Sequence, residues 1–248
     1  MMSPTRQRRS VYVRYEVMRT FRNWRFLLLS LGFPLVLFLI VAGSNRHARL
    51  DGVSFPLYYM TGMAAWGGMV AVISTGGNIA NERQLGWARQ LRITPLPRRI
   101  YFQAKVLCGY LMAMLTLAVL YLAGAIVGVN LDAGAWVAMT GLILVGLIPF
   151  LVLGILLGHL LRTDSLGPAM GGVTSLFALL GGAWGPLATT GVALSVVKVL
   201  PSYWLVQAGK TAIGGHGWPA EAWAVLGVWV LGLGWLAQRV YLRDTARV

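Results

Sequence analysis

Six stretches without a charged residue dominate the chain: 26–45, 52–81, 106–131, 133–161, 165–197 and 222–238. Each is continuously apolar and does not alternate in twos, so a porin-like barrel fits poorly. Crossing about 30 Å of hydrocarbon takes roughly 20 helical residues at 1.5 Å each. Five runs reach that length, and the sixth ends at Arg239, which can snorkel to the headgroups. The pattern predicts an all-α polytopic membrane protein with six transmembrane helices, near 26–43, 57–77, 104–128, 136–160, 167–188 and 220–238. The run after Asp164 is longer than one span needs, and breakers interrupt it at Gly181-Gly182-Ala183-Trp184-Gly185-Pro186 and Pro201-Ser202-Tyr203-Trp204. Segment 189–219 is therefore expected to form an outer re-entrant hairpin and not a seventh crossing.

Composition agrees: 57% of residues are apolar and 11% charged, too few charges for an ordinary soluble domain. The net charge of +14, from 21 Lys and Arg against 7 Asp and Glu, raises nucleic acid as a partner until the charges are placed. Six crossings put both termini on one side. That side collects 17 of the 21 cations: Arg6, Arg8, Arg9, Arg14, Arg19, Arg22 and Arg25, then Arg83, Arg89, Arg92, Arg98, Arg99 and Lys105, then Arg162, Arg239, Arg243 and Arg247. With four acids there, the face carries +13; Arg46, Arg49, Lys198 and Lys210 against three acids leave +1 opposite. The positive-inside rule then predicts cytoplasmic termini, and no nucleic acid is needed to explain the charge. Seven arginines precede the first apolar run and no small-residue cleavage pattern follows it, so that run is expected to be retained.

Catalytic and metal chemistry finds little support. No Asp, Glu, Lys or Arg falls near the middle of a predicted span, which argues against a carboxylate relay for protons or sodium. His47, His159 and His216 are scattered, Cys108 is the one cysteine, and there is no HExxH, GxSxG or paired-carboxylate site. Gly209-Lys210-Thr211 imitates the end of a phosphate loop, but Trp204 stands where its first glycine belongs. Small-residue pairs at Gly124/Gly128, Gly154/Gly158, Gly167/Gly171 and Gly181/Gly185 suit close helix packing without singling out a dimer seam. Trp136, Trp184, Trp218 and Trp223 suit an outer interfacial belt.

Two further segments carry more information. Residues 11–25 form a basic amphipathic helix, with Val13, Val17, Phe21 and Trp24 on one face and Arg14, Arg22 and Arg25 beside it, suited to the membrane surface. The loop 78–105 suggests a short helix from about Glu82 to Ile93, then Thr94-Pro95 as the cap and first turn of the next helix, with Pro97 in the same turn.

Glu82-Arg83-x-x-Gly86, Leu91-x-x-Thr94-Pro95-Leu96 and Lys105, followed by Gly182-Ala183-Trp184-x-Pro186 and Pro201-x-Tyr203, resemble the membrane subunit of ABC-2 type ABC transporters over nearly the whole chain. The resemblance implies a single transmembrane domain over 1–248: a cytoplasmic basic segment 1–25, spans one and two in 26–77, a coupling loop 78–103, spans three to five in 104–188, an outer hairpin 189–219, span six at 220–238 and a cytoplasmic tail 239–248. It implies that Glu82, Arg83, Gly86, Leu91, Thr94, Pro95 and Leu96 serve coupling to a separate ATP-binding subunit. Arg14, Val17, Phe21, Arg22 and Trp24 would belong to an interfacial connecting helix, and Trp184, Pro186, Pro201 and Tyr203 to the outer hairpin. No cofactor is expected on this chain; ATP and magnesium would bind the partner subunit. The expected partners are that ATPase, a second copy or a similar permease, the lipid bilayer and a small-molecule substrate, in a bacterial cytoplasmic membrane. The expected cargo is an amphipathic drug or antibiotic, with a lipid-linked glycan or envelope component as the alternative. A non-transporting accessory or immunity protein is the reading outside the family.

Overall fold

The first apolar run does not open as a simple rod. In a computed structural model of the chain, which describes residues 4–50, 52–86, 97–185, 190–213 and 217–246, basic helix α1 (Pro4–Arg22) breaks at Asn23. One turn, α2 (Trp24–Leu27), leads through a π turn at Leu28–Gly32 into α3 (Phe33–Ser44). The π turn lies just ahead of Pro34, whose ring lacks an N–H and would strike the Ser30 carbonyl in a regular helix. A two-residue hairpin, β1 (Arg49–Leu50) and β2 (Val53–Ser54), pairs Arg49 with Ser54 and Leu50 with Val53.

Extended Ser54 and Pro56 in the first turn start α4 (Phe55–Ile73), which runs on as α5 (Thr75–Gln84). Pro97, also extended, precedes α6 (Arg98–Val127). Gly128, at φ +106°, ends α6, and the Val129 N–H reaches back to the Gly124 carbonyl at 2.9 Å. The Asp132 carboxylate accepts from the Ala135 N–H at 3.0 Å and caps α7 (Ala133–Gly146). Pro149 marks the break into α8 (Ile148–Leu160), and α9 (Thr163–Gly181) follows. Helices α10 (Gly191–Lys198) and α11 (Pro201–Ile213) meet at 97°, and α12 (Ala220–Ala246) closes the chain.

Four helical stretches are long and apolar enough to cross a bilayer: Phe55–Gln84, Arg99–Val127, Ala133–Leu160 and Ala220–Val240. The bent pair α10–α11 makes a fifth if it is counted as one span. Two of the six expected spans fall short of this standard among the described residues. Ser30–Ser44 is shorter, and α9 opens with the polar Thr163-Asp164-Ser165 and carries Pro168 inside it.

Helix α4 is the axis of the packing. Nearly all of it is buried, with α3, α6, α8, α9 and α11 against it, whereas α12 has few buried residues and rests mainly on α8. The Gly154/Gly158 pair of α8 forms a seam within the chain, lying on the α4–α5 junction. A Cβ on Gly76 would sit 1.9 Å from the Gly154 carbonyl oxygen, and one on Gly158 would sit 2.5 Å from that of Gly76. Around Gly167 and Gly171 there is open space. Of the four tryptophans expected in a belt, Trp218 is instead buried, edge-on to Trp223. Gly209-Lys210-Thr211 lies within α11, where Gly209 packs on Thr61 and the Lys210 ammonium sits 5.4 Å from the centre of the Tyr58 ring.

The coupling segment differs from expectation in its helix boundaries. Glu82 and Arg83 close α5 and do not open a separate helix at 82–93. The helix continues unbroken from Thr75 to Gln84, and Gly86, at φ +71°, is the first residue after it in the left-handed region. Leu91, Thr94, Pro95 and Leu96, with the rest of 87–96, and Pro186 lie outside the described residues.

Candidate functional site

At one end of the bundle, α1, the last turn of α5 and the first turns of α6 are tied together by buried charges. Lys105 enters from α6, Glu16 from α1 and Glu82 from α5, each at most 3% exposed. The Lys105 ammonium donates to the carboxylates of both Glu16 and Glu82, the latter at 2.6 Å. Arg19, one turn beyond Glu16, donates from Nη1 to the same Glu82 Oε1 at 2.7 Å, and Tyr101 donates its hydroxyl to Oε2 at 2.7 Å. Two cations and two anions thus form a neutral cluster, as burial of charge requires. Burial opposes the Arg19 charge, but hydrogen bonding to Glu82 and the charges of Glu82 and Glu16 outweigh it and raise its pKa.

Arg83 points the other way. Its guanidinium donates to the carbonyls of Gly158 at 3.1 Å and His159 at 2.6 Å, the last turn of α8, where carbonyls have no partner within the helix. The His159 ring stacks on Phe102 of α6, and its Nδ1 lies 2.8 Å from the Ile155 carbonyl. Replacing Arg83 with Met should lower the stability of the chain by about 1 to 2 kcal/mol, read as a lower melting temperature in detergent.

The adjacent residues Glu82 and Arg83 therefore fasten the loop leaving α5 to three elements. Beyond them, Leu85 is exposed and Gly86 has open space around it. The expected interfacial residues separate in the structure. Arg14, Arg22 and Trp24 are exposed, while Val17 and Phe21 are half-buried, with Phe21 against the core.

On the far side of the fold, Trp184 lies edge-on to Trp66 at 5.4 Å. Pro201 is buried at the start of α11, and Tyr203 is edge-on to Trp204. The indole N–H groups of Trp204 and Trp229 donate to the Lys198 and Val199 carbonyls, each at 2.9 Å, and so satisfy the backbone freed by the 97° bend.

Chemically, the charged cluster is a mechanical joint. Among the described residues no three metal-ligating side chains come together.

A family model described as "ABC-2 family transporter protein" matches residues 49–238. The chain belongs to the ABC-2 transporter family. Among relatives of this ABC-2 protein is the "Putative transport permease YvfS" of Bacillus subtilis (strain 168), 32% identical over 192 residues, which cover 76% of this chain and 78% of that protein. The matched region of the ABC-2 chain contains Glu82, Arg83 and Lys105, whereas Glu16 and Arg19 precede it. Glu16 and Arg19 are the partners that the sequence motifs did not single out. The signal was present: Glu16 is the single acid in a segment of seven arginines, and Lys105 is the one cation between Arg99 and Asp132.

Proposed function

We propose that this ABC-2 protein is the membrane-spanning permease subunit of an ATP-driven exporter, paired with a second permease and served by separate ATP-binding subunits that carry ATP and magnesium. The observation that carries the reading is the joint at Glu82 and Arg83. A push on the loop that follows them would be delivered to α1 and α6 through the buried charges, and to α8 through the helix-end carbonyls. ATP drives such a machine only by favouring one global arrangement over another, and a stiff linkage from loop to helices supplies that bias.

In this reading the chain makes six crossings, with α3 and α9 as the first and fifth spans, and the Arg-rich face, joint and both termini are cytoplasmic. The α10–α11 hairpin closes the path on the outer side, and the cargo is an amphipathic small molecule such as a drug or antibiotic. Leu85, Gly86 and the following segment through Leu96 form the face that receives the ATPase. Glu82 acts from inside as a positioning residue.

Co-purification with the ATP-binding subunit encoded beside it, followed by ATP-dependent flux in vesicles, tests the reading. An ATPase that fails to associate, together with vesicles without ATP-dependent flux, overturns it. Leu85→Asp and Gly86→Asn should weaken ATPase association while the permease keeps its gel-filtration profile, because both positions are clear of the core and Asn tolerates the left-handed backbone of Gly86. Undiminished association in both variants removes the loop from the interface.

A further inference from the structure

The bend between α10 and α11 has a donor for each of its carbonyls, and one of those donors comes from outside the hairpin. The Val196, Val197 and Leu200 carbonyls accept from the backbone N–H groups of Val199, Leu200 and Tyr203. The Lys198 and Val199 carbonyls take instead the indole N–H groups of Trp204 and Trp229, each at 2.9 Å. Trp204 belongs to α11 and travels with the hairpin, whereas Trp229 belongs to α12. A second tie joins the same two elements: the Lys198 ammonium lies 3.6 Å from the Glu221 carboxylate at the start of α12. Trp229 follows Ala220 by nine residues, about 14 Å along the helix at 1.5 Å each and close to half of about 30 Å of hydrocarbon. At that depth water does not reach a carbonyl, and one left without a donor is costly.

We infer that Trp229 is a positioning residue for the outer hairpin and that, together with Glu221, it latches the hairpin's bend onto α12. The indole is aimed from behind. Its ring lies edge-on to Phe177 of α9 at 5.7 Å, and Phe177 lies edge-on to Phe150 of α8 at 5.2 Å. Moving the bend away from α12 leaves the Trp204 bond intact and parts the Val199 carbonyl from its donor. That carbonyl is then satisfied only by water, so the latch holds while the bend is dry and yields as the bend becomes hydrated. Helix α12 has the fewest buried residues of the four long spans, so parting it from the hairpin disturbs little else. The Lys198–Glu221 pair, with both side chains partly exposed, adds a contribution that salt can screen. The inference rests on the reading that the hairpin closes the outer side of the path, and not on the presence of an ATPase.

The test uses the full-length permease in nanodiscs without any ATPase, so ATPase association and flux decide the export reading separately. Ser202→Cys in a Cys108→Ala background is the reporter. Ser202 is fully buried in the first turn of α11 and its hydroxyl has no hydrogen-bond partner, so the exchange gives up no bond. A membrane-impermeant maleimide should label it slowly, far below the rate of Val196→Cys, which is exposed on α10. Trp229→Phe keeps a ring against Phe177 and removes the N–H. It should speed labelling about fivefold, the weight of one hydrogen bond of about 1 kcal/mol. In the parent, about 1 M salt should also speed labelling, because the screening length falls to about 3 Å, and Glu221→Gln should abolish that response. Tyr121→Phe, which breaks the contact with Thr140 between α6 and α7, is the control and should label like the parent. Val206→Cys, buried in the same helix, should repeat the pattern and guards against local distortion at Ser202. Three results overturn the inference: equal rates in Trp229→Phe and the parent, an equal rise in Tyr121→Phe, or parent reporters that label as fast as Val196→Cys.

Discussion

Replacing Lys105 with Met should be among the most damaging single changes in the chain. It leaves Glu16 and Glu82 buried, with Arg19 as the one remaining cation in the cluster. Breaking a buried pair from one side typically costs about 3 to 5 kcal/mol, because the stranded charge can neither reach water nor find a partner. The variant should lose most of its monodisperse protein in detergent. Adding Glu16→Gln restores balance, with Glu82 on Arg19 and Tyr101, and should recover a large part of the loss. A double-mutant cycle on melting temperature measures the coupling. If the double variant is no better than Lys105→Met alone, the charges do not act as one cluster. Lys105 also covers the Tyr101 ring, at 5.2 Å from its centre, so the recovery is expected to be incomplete.

Gly76→Ala is the second large effect. A methyl there would lie 1.9 Å from the Gly154 carbonyl oxygen and 2.7 Å from its carbon, contacts with backbone that no rotamer change relieves. Gly154→Ala strikes the same seam from the other side, 2.7 Å from the Ile73 backbone. Overpacking typically costs 1 to 3 kcal/mol where side chains can yield; here α5 and α8 must separate, so about 3 kcal/mol or more is expected. Gly171→Ala, with open space, is the matched control. Expression and melting temperature read both, and equal behaviour of Gly76→Ala and Gly171→Ala would dissolve the seam. Because Arg83 holds the end of α8 one turn further on, parting the seam should also disturb the joint.

The apolar runs foretold most of the helices because bilayer thickness imposes a length that composition reveals directly. They were less informative where an uncharged run is rich in small and polar residues. The Gly, Thr and Ser residues in α9 read as an ordinary span, yet they lower its apolarity below that of a free-standing one. The motif around Glu82 pointed to the right place and to a less complete geometry, since a sequence cannot show that its carboxylate meets Lys105, 23 residues away, and Arg19, 63 away. The inward face of α1 was only partly legible for a related reason. Periodicity weighs Val13, Val17 and Phe21 as an apolar stripe, and does not show that the buried Lys105 of α6 holds Glu16 inward beside them.

Helix α4 has one more consequence, for how the protein is made. It is the least apolar of the four stretches able to cross a bilayer, yet it is the one enclosed by the others. Among its neighbours α3, the π turn and the short hairpin precede it in the chain; α6, α8, α9 and α11 all leave the ribosome later. Helix α4 must therefore wait in the membrane with its glycines, tyrosines and threonine facing lipid, until later helices arrive to cover them. Biogenesis, more than the finished structure, is where this chain is most exposed to error, and chains truncated before α6 should show α4 poorly inserted.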